Sequence, residues 1–323
     1  MYTIRKLSTM KKILIVGAGG QIGSELVTYL RGLYGNGNVV AADLRQSERL
    51  AADGPFEILD ALDAERYAEL VRKYGIDSIF NLAALLSAKG EANPTLAWKI
   101  NIGALTNSLE VARQYNCALF TPSSIGAFGG DFPRDNTPQD TIMQPNTMYG
   151  VCKVTGELLS NYYHTRFGVD TRSVRFPGII SNVTLPGGGT TDYAVEIYYA
   201  AVKGERFVCP VSSNVYMDMM YMPDALRATV ELMEADPAKL KHRNSFNIAS
   251  MSFTPEIIYA DIRKRLPEFE MVYDVDPVKE AIAESWPNKL DDTCAREEWG
   301  WKPQWDLSSM TDDMLRAVRA KNL

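Results

Sequence analysis

Three side chains carry most of the chemical suggestion in this chain: Tyr149, Lys153 four residues later, and Ser124, 25 residues earlier. On a helix, residues four apart share a face, so the phenol and the ammonium are neighbours. An ammonium beside a phenol favours the phenolate, which suits tyrosine to act as a general base. A serine hydroxyl near such a pair donates to the oxygen being activated. Sixteen tyrosines make a lone Tyr-x-x-x-Lys common by chance, so its position in the chain matters more than the motif itself.

A second constellation lies near the amino terminus. Gly17, Gly20 and Gly23 follow the run Lys12–Val16, with Gln21 and Ile22 between the last two. Glycines between a strand and a helix allow a tight turn and bring backbone N–H groups close to a diphosphate at the helix N-terminus. Gly17 and Gly19 also start a G-x-G, so the role of each glycine stays open. Asp43 ends the next apolar run 20 residues after Gly23, where a carboxylate holds ribose hydroxyls and repels a 2′-phosphate. Leu44 and Arg45 follow it; the arginine is the one feature that could accept such a phosphate. Asp60, with Ala61 behind it, either bonds an adenine amino group or ends a strand at a turn. Leu82, Ala83 and Ala84 close a fourth strand with side chains small enough to leave a crevice open.

These residues need a scaffold. Short buried runs at Lys12–Val16, Val39–Asp43, Phe56–Leu59, Ser78–Leu82, Ala118–Phe120 and Thr171–Arg175 alternate with helical stretches at Gln21–Tyr34, Ala64–Tyr74, Pro94–Tyr115 and Met148–Phe167. The alternation predicts an α/β chain with a doubly wound, Rossmann-type parallel sheet. After about Pro177 the pattern becomes irregular, with helices expected at Asp192–Lys203, Pro223–Glu234 and Pro255–Leu266. We expect an extension over residues 1–10, a dinucleotide-binding domain over 11–180 completed by later segments, and a small interleaved substrate lobe over 181–323.

Composition removes whole classes of function. The net charge of −6, from 34 basic and 40 acidic residues, argues against nucleic acid as a partner. No apolar run is long enough for a bilayer. Two histidines and four scattered cysteines provide no zinc-ligand spacing, so no metal is expected. Unpaired cysteines without a secretory signal suit the cytoplasm. His164, Cys152 and the group Met217, Met219, Met220 and Met222 read as packing residues rather than site residues.

The ordered set Gly17/Gly20/Gly23, Asp43, Asn81-Leu82-Ala83-Ala84, Asn101, Ser123-Ser124, Tyr149-x-x-x-Lys153 and Arg175-Phe176-Pro177-Gly178 resembles the extended short-chain dehydrogenases/reductases. The resemblance implies NAD as cofactor, Tyr149 as acid/base, Ser124 orienting the substrate oxygen and Lys153 holding the nicotinamide ribose. It also implies that Asn101 fixes a water or the lysine, that Pro177 borders the nicotinamide, and that the protein is a homodimer packed through its two long helices. Sugar-nucleotide epimerases of that family often carry histidine and tyrosine where this chain has Asn81 and Phe128.

Leu85–Ala88, Pro186–Ala194 and Ser285–Pro287 are similar to the branch of the family that oxidises the C3 hydroxyl of L-threonine. That likeness implies a small zwitterion held by Ser87, Ser123, Gly188, Thr190, Thr191 and Trp286, and 2-amino-3-oxobutanoate as product. Thr190 or Thr191 could equally be a plain helix cap. The rival readings are a nucleotide-sugar epimerase or dehydratase and a non-catalytic NAD sensor; the sensor ranks last because both Tyr149 and Lys153 are present.

Overall fold

A computed structural model describes residues 10–184 and 189–321. The chain forms two compact units: residues 1–123, 152–174 and 226–245 make one, and 124–151, 175–225 and 246–323 the other.

The first unit is built on strands too short and too apolar to leave either face in water. It runs β1 (Ile13–Val16), α1 (Gln21–Tyr34), β2 (Val39–Asp43), α2 (Glu48–Ala52), β3 (Phe56–Ile58), α3 (Ala64–Tyr74), β4 (Ser78–Asn81), α4 (Ser87–Ala92), α5 (Pro94–Tyr115) and β5 (Ala118–Phe120). Next come β6 (Ser123–Ser124), α6 (Met148–Phe167) and β7 (Thr171–Arg172). The sheet is parallel in the order β3-β2-β1-β4-β5-β7, with Ile13 opposite Val39 on one side and Ser78 on the other. The chain reverses direction across the sheet between β1 and β4, which leaves a crevice at their carboxyl ends. Leu14, Val16 and Ile79 pack in one buried cluster with Leu70 of α3 and Leu105 and Leu109 of α5.

Local chemistry sets the helix ends. Asp63 and Asn93 cap α3 and α5 through the N–H groups of Arg66 and Leu96. Asn116 takes the left-handed conformation that ends α5 (φ 55°). The expected single strand Thr171–Arg175 is in fact two, β7 and β8 (Val174–Phe176). Ser173 breaks it because its N–H and C=O pair with Arg243 and Ser245 instead.

The second unit contains β9 (Gly178–Ile180), α7 (Tyr193–Lys203), β10 (Phe207–Cys209), β11 (Met217–Tyr221), β12 (Phe246–Asn247), β13 (Met251–Phe253) and α9 (Pro255–Arg263), while α8 (Met222–Glu234) has all but its first turn in the first unit. It ends with β14 (Met271–Tyr273), α10 (Pro277–Glu284), α11 (Thr293–Trp299) and α12 (Leu307–Arg319). Strand β11 pairs in parallel with β9 and antiparallel with β13. Met217 and Met219 are fully buried in the core that α7, α9 and α12 cover, as packing residues should be. No helix among the described residues is long and apolar enough to cross a membrane.

Candidate active site

The glycine turn is tight because backbone fills the space a side chain would take at Gly17 and Gly23. Gly17 has φ +82°, and a Cβ there would lie 2.7 Å from the Ala83 nitrogen. A Cβ on Gly23 would lie 2.2 Å from the Gly17 carbonyl oxygen. The turn therefore sits directly on the end of β4. Helix α1 follows its N-cap Gly20 without a side-chain cap and with no acidic residue in its first turn, so no carboxylate of the helix itself competes for its leading N–H groups. Gln21 and Ile22 are half-buried in that turn.

Asp43 does more than end β2. Its Oδ2 accepts the Gly19 N–H at 2.8 Å, tying this carboxylate to the glycine turn. Leu44 and Arg45 are exposed beside it. Asp60 accepts the Leu62 N–H at 2.9 Å, a turn-forming bond, while the carbonyl of buried Ala61 takes the Asn107 side-chain amide at 2.9 Å. Asn101 clamps the chain after β4: its amide accepts the Leu85 N–H at 2.7 Å and donates to the Leu85 carbonyl at 3.1 Å.

Within the first unit a cavity is lined by Leu82, Ala83, Ala84, Asn101, Pro122, Ser123 and Lys153. Two buried polar atoms in its lining, Asn81 Oδ1 and Thr121 Oγ1, lack a hydrogen-bond partner among the described residues. A buried polar atom without a partner is costly, so this cavity calls for a polar occupant. With the glycine cradle, these features fit a dinucleotide. Lys153 donates to the Pro122 carbonyl at 2.6 Å, which fixes its ammonium at the cavity wall.

Ser123 and Ser124 have different surroundings. Ser123 is buried, and its hydroxyl donates to Glu157 at 2.5 Å. Sequence reasoning passed over Glu157, although it lies one turn beyond Lys153 on α6, a carboxylate on the row already marked by Tyr149 and Lys153. Ser124 accepts the Gly126 N–H at 3.1 Å, which leaves its own proton for a substrate oxygen.

Tyr149 lies near Ser124 because the start of α6 presses on the turn after β6. A Cβ on Gly150 would lie 2.3 Å from the Gly126 carbonyl oxygen, so the backbones touch. A Cβ on Gly126 would meet Tyr149 ring carbons at 3.3 Å and Ser124 Oγ at 3.5 Å. Phenol and hydroxyl thus flank the same glycine. Lys153 follows on α6, one turn along.

The remaining expected residues are more dispersed. Ser87 begins α4 and is half-buried; Pro177 is buried between β8 and β9. Thr190 is buried, and Thr191 packs so closely on Gly178 that a Cβ there would lie 2.7 Å from its Cγ2. Neither threonine caps α7; the Asp192 carboxylate accepts the Gly189 N–H instead, at 2.6 Å. Gly188 lies outside the described residues. Trp286 packs in an apolar cluster with Ile125, Phe128, Ala249 and Leu290. His164 bonds the Val169 carbonyl through Nδ1 at 2.8 Å, and Cys152 is buried, with burial pushing its thiol up.

Comparison with known proteins agrees with this geometry. Residues 13–249 match the NAD dependent epimerase/dehydratase family. An uncharacterized epimerase/dehydratase of Staphylococcus aureus (strain MRSA252) is 57% identical over 97% of this chain and 98% of its own. The structure of L-threonine dehydrogenase from Clostridium difficile superposes with a TM-score of 0.95 at 55% identity, covering 97% of this chain and 98% of that one. The GalE-like L-threonine dehydrogenase from Cupriavidus necator, in holo form, gives 0.93 at 50%, covering 95% and 99%. A Rossmann-type sheet, a glycine turn tied to Asp43 and a tyrosine-serine pair at the start of α6 go with these likenesses, and the chain belongs to the NAD-dependent epimerase/dehydratase family.

Proposed function

We propose that this protein is an NAD-dependent L-threonine 3-dehydrogenase. The observation that carries the proposal is the convergence of Tyr149 and Ser124 on Gly126, in a chain similar over 95–97% of its length to L-threonine dehydrogenases. NAD, when bound, supplies the hydride acceptor. The Gly17–Gly23 turn would hold its diphosphate, Asp43 its adenosine ribose, and Lys153 and Tyr149 its nicotinamide ribose. The charge on Asp43 favours NAD over NADP.

Ser124 donates to the C3 oxygen of L-threonine and orients it. The Tyr149 oxygen takes the proton from that hydroxyl as the C3 hydrogen leaves with its electron pair, so that a C3 ketone forms. Ser87, Ser123, Thr190, Thr191 and Trp286 bind the ammonium, carboxylate and methyl groups. Glu157 fixes the Ser123 hydroxyl. Exposed Trp98 on α5 and Leu158 and Tyr162 on α6 suit these helices to a homodimer interface. Four free cysteines fit a reducing cytoplasm.

NADH formation with L-threonine, its allo and D isomers, L-serine and a UDP-sugar tests the proposal. L-threonine should be the preferred substrate, and Tyr149→Phe should lower kcat by at least about 100-fold with NAD binding retained. Turnover of the UDP-sugar without any response to L-threonine refutes the substrate. The epimerase or dehydratase reading, which the staphylococcal relatives' description favours, would then replace it.

A further inference from the structure

Asp218 is a carboxylic acid with no exposed surface and no ion pair among the described residues. It lies on β11, where strand alternation turns its side chain away from the core that holds Met217 and Met219. Its Oδ2 accepts the Leu290 N–H at 2.8 Å, while Oδ1 has no hydrogen-bond partner among the described residues. Burial pushes the carboxyl up to about 8; the backbone of Leu290 and Ser250 pulls the other way, Asp292 adds to the rise and Lys289 opposes it. A buried acid is expensive to keep, so what it holds matters.

The segment it bonds, from Ser285 to Asp292, has no helix or strand of its own. The Arg134 side chain donates from Nε to the Trp286 carbonyl at 3.0 Å, and the Arg134 carbonyl accepts the Asn288 N–H at 3.0 Å. Thr137 donates to the Lys289 carbonyl at 2.8 Å and accepts the Asp291 N–H at 2.9 Å. Ser252 donates to the Asn288 carbonyl at 2.6 Å. The Leu290 N–H, inside an apolar cluster, is satisfied by Asp218. Trp286 and Leu290 are the two residues by which this segment packs on Ile125 and Phe128, and Ile125 directly follows Ser124.

We infer that Asp218 is a positioning residue for the substrate side of the site: by accepting the Leu290 N–H it holds the 286–292 segment in the register that seats Trp286 against Ile125 and Phe128. This rests on the proposed function, in which Trp286 contacts the substrate. An acceptor is what the position requires, not a charge. Asparagine therefore replaces the acid and alanine does not.

Steady-state kinetics and amide exchange over 286–292 in Asp218→Ala and Asp218→Asn test the inference. Losing one hydrogen bond to the segment should raise the L-threonine KM of the alanine variant by roughly 3- to 10-fold, with kcat within about 2-fold. NAD affinity should be unchanged and exchange over 286–292 faster. The asparagine variant should restore both KM and exchange to near wild type. Wild-type KM and exchange in the alanine variant, or equal impairment in both variants, overturns the assignment. If the alanine variant does not fold, Ser252→Ala loosens the same segment and should raise KM in the same direction; an unchanged KM there overturns the assignment too. If the wild-type protein ignores L-threonine, the proposed function fails, and the exchange comparison alone still decides whether Asp218 holds the segment.

Discussion

Alanine at Gly23 isolates what the glycine turn requires. Its Cβ would lie 2.2 Å from the Gly17 carbonyl oxygen and 3.0 Å from the Ala18 Cα, and non-bonded Cβ atoms essentially never approach within 3.0 Å. The shortfall of about 0.8 Å at the oxygen is against backbone, which cannot rotate aside, so either α1 or the turn must move by about that much. Overpacking of this kind costs about 1–3 kcal/mol, against up to about 1 kcal/mol that alanine gains over glycine in a helix. Gly32 lies on the same helix, exposed and with nothing within 4 Å of its Cβ position, so Gly32→Ala keeps the gain without the clash. Moving the turn also misplaces N–H donors to a charged diphosphate. Loss of one such bond, at about 1.5–3 kcal/mol, weakens NAD binding roughly 10- to 100-fold. Calorimetric titration with NAD and thermal unfolding of both variants measure this. A Gly23→Ala protein that binds NAD like wild type and gains as much stability as Gly32→Ala would refute the steric reasoning.

Asp43→Asn retains an acceptor for the Gly19 N–H but removes the charge that a 2′-phosphate meets, so the ratio of NADP to NAD in kcat/KM should rise at least about 10-fold; an unchanged ratio would take Asp43 out of the ribose site. Asp218→Asn should change the pH dependence of stability. The folded carboxyl is raised from 3.8 to about 8. Its contribution is therefore complete below the unfolded value and is lost as pH rises towards the folded one, by up to about 1.4 kcal/mol per pH unit. Urea unfolding between about pH 5 and 8 should show wild type losing stability relative to the asparagine variant, and parallel curves would contradict it.

The long elements were legible because their signals are local. Helices α1, α5 and α6 begin and end where the residue pattern placed them, since periodicity, the leading proline of α5 and the glycine turn before α1 act within a few residues. The strand expected over Thr171–Arg175 was not, because what splits it is pairing with Arg243 and Ser245, some 70 residues away. Asp60 bonds the Leu62 N–H two residues on, a turn bond that is itself local.

Residues that act on near neighbours were thus determined by sequence alone: the glycines that need a turn, the aspartate that ends β2, the tyrosine and lysine one helical turn apart. Spacing along a strand or helix sets those relations, and a tertiary fold can only carry them. Which buried polar groups meet across the chain was decided by tertiary structure. Ser123 finds Glu157 34 residues on, Asp218 finds Leu290 72 residues on, and Gly150 and Gly126 bring Tyr149 to Ser124. A buried hydrogen bond needs a donor and an acceptor at one point in space. No period in the sequence records which distant segment supplies the second atom.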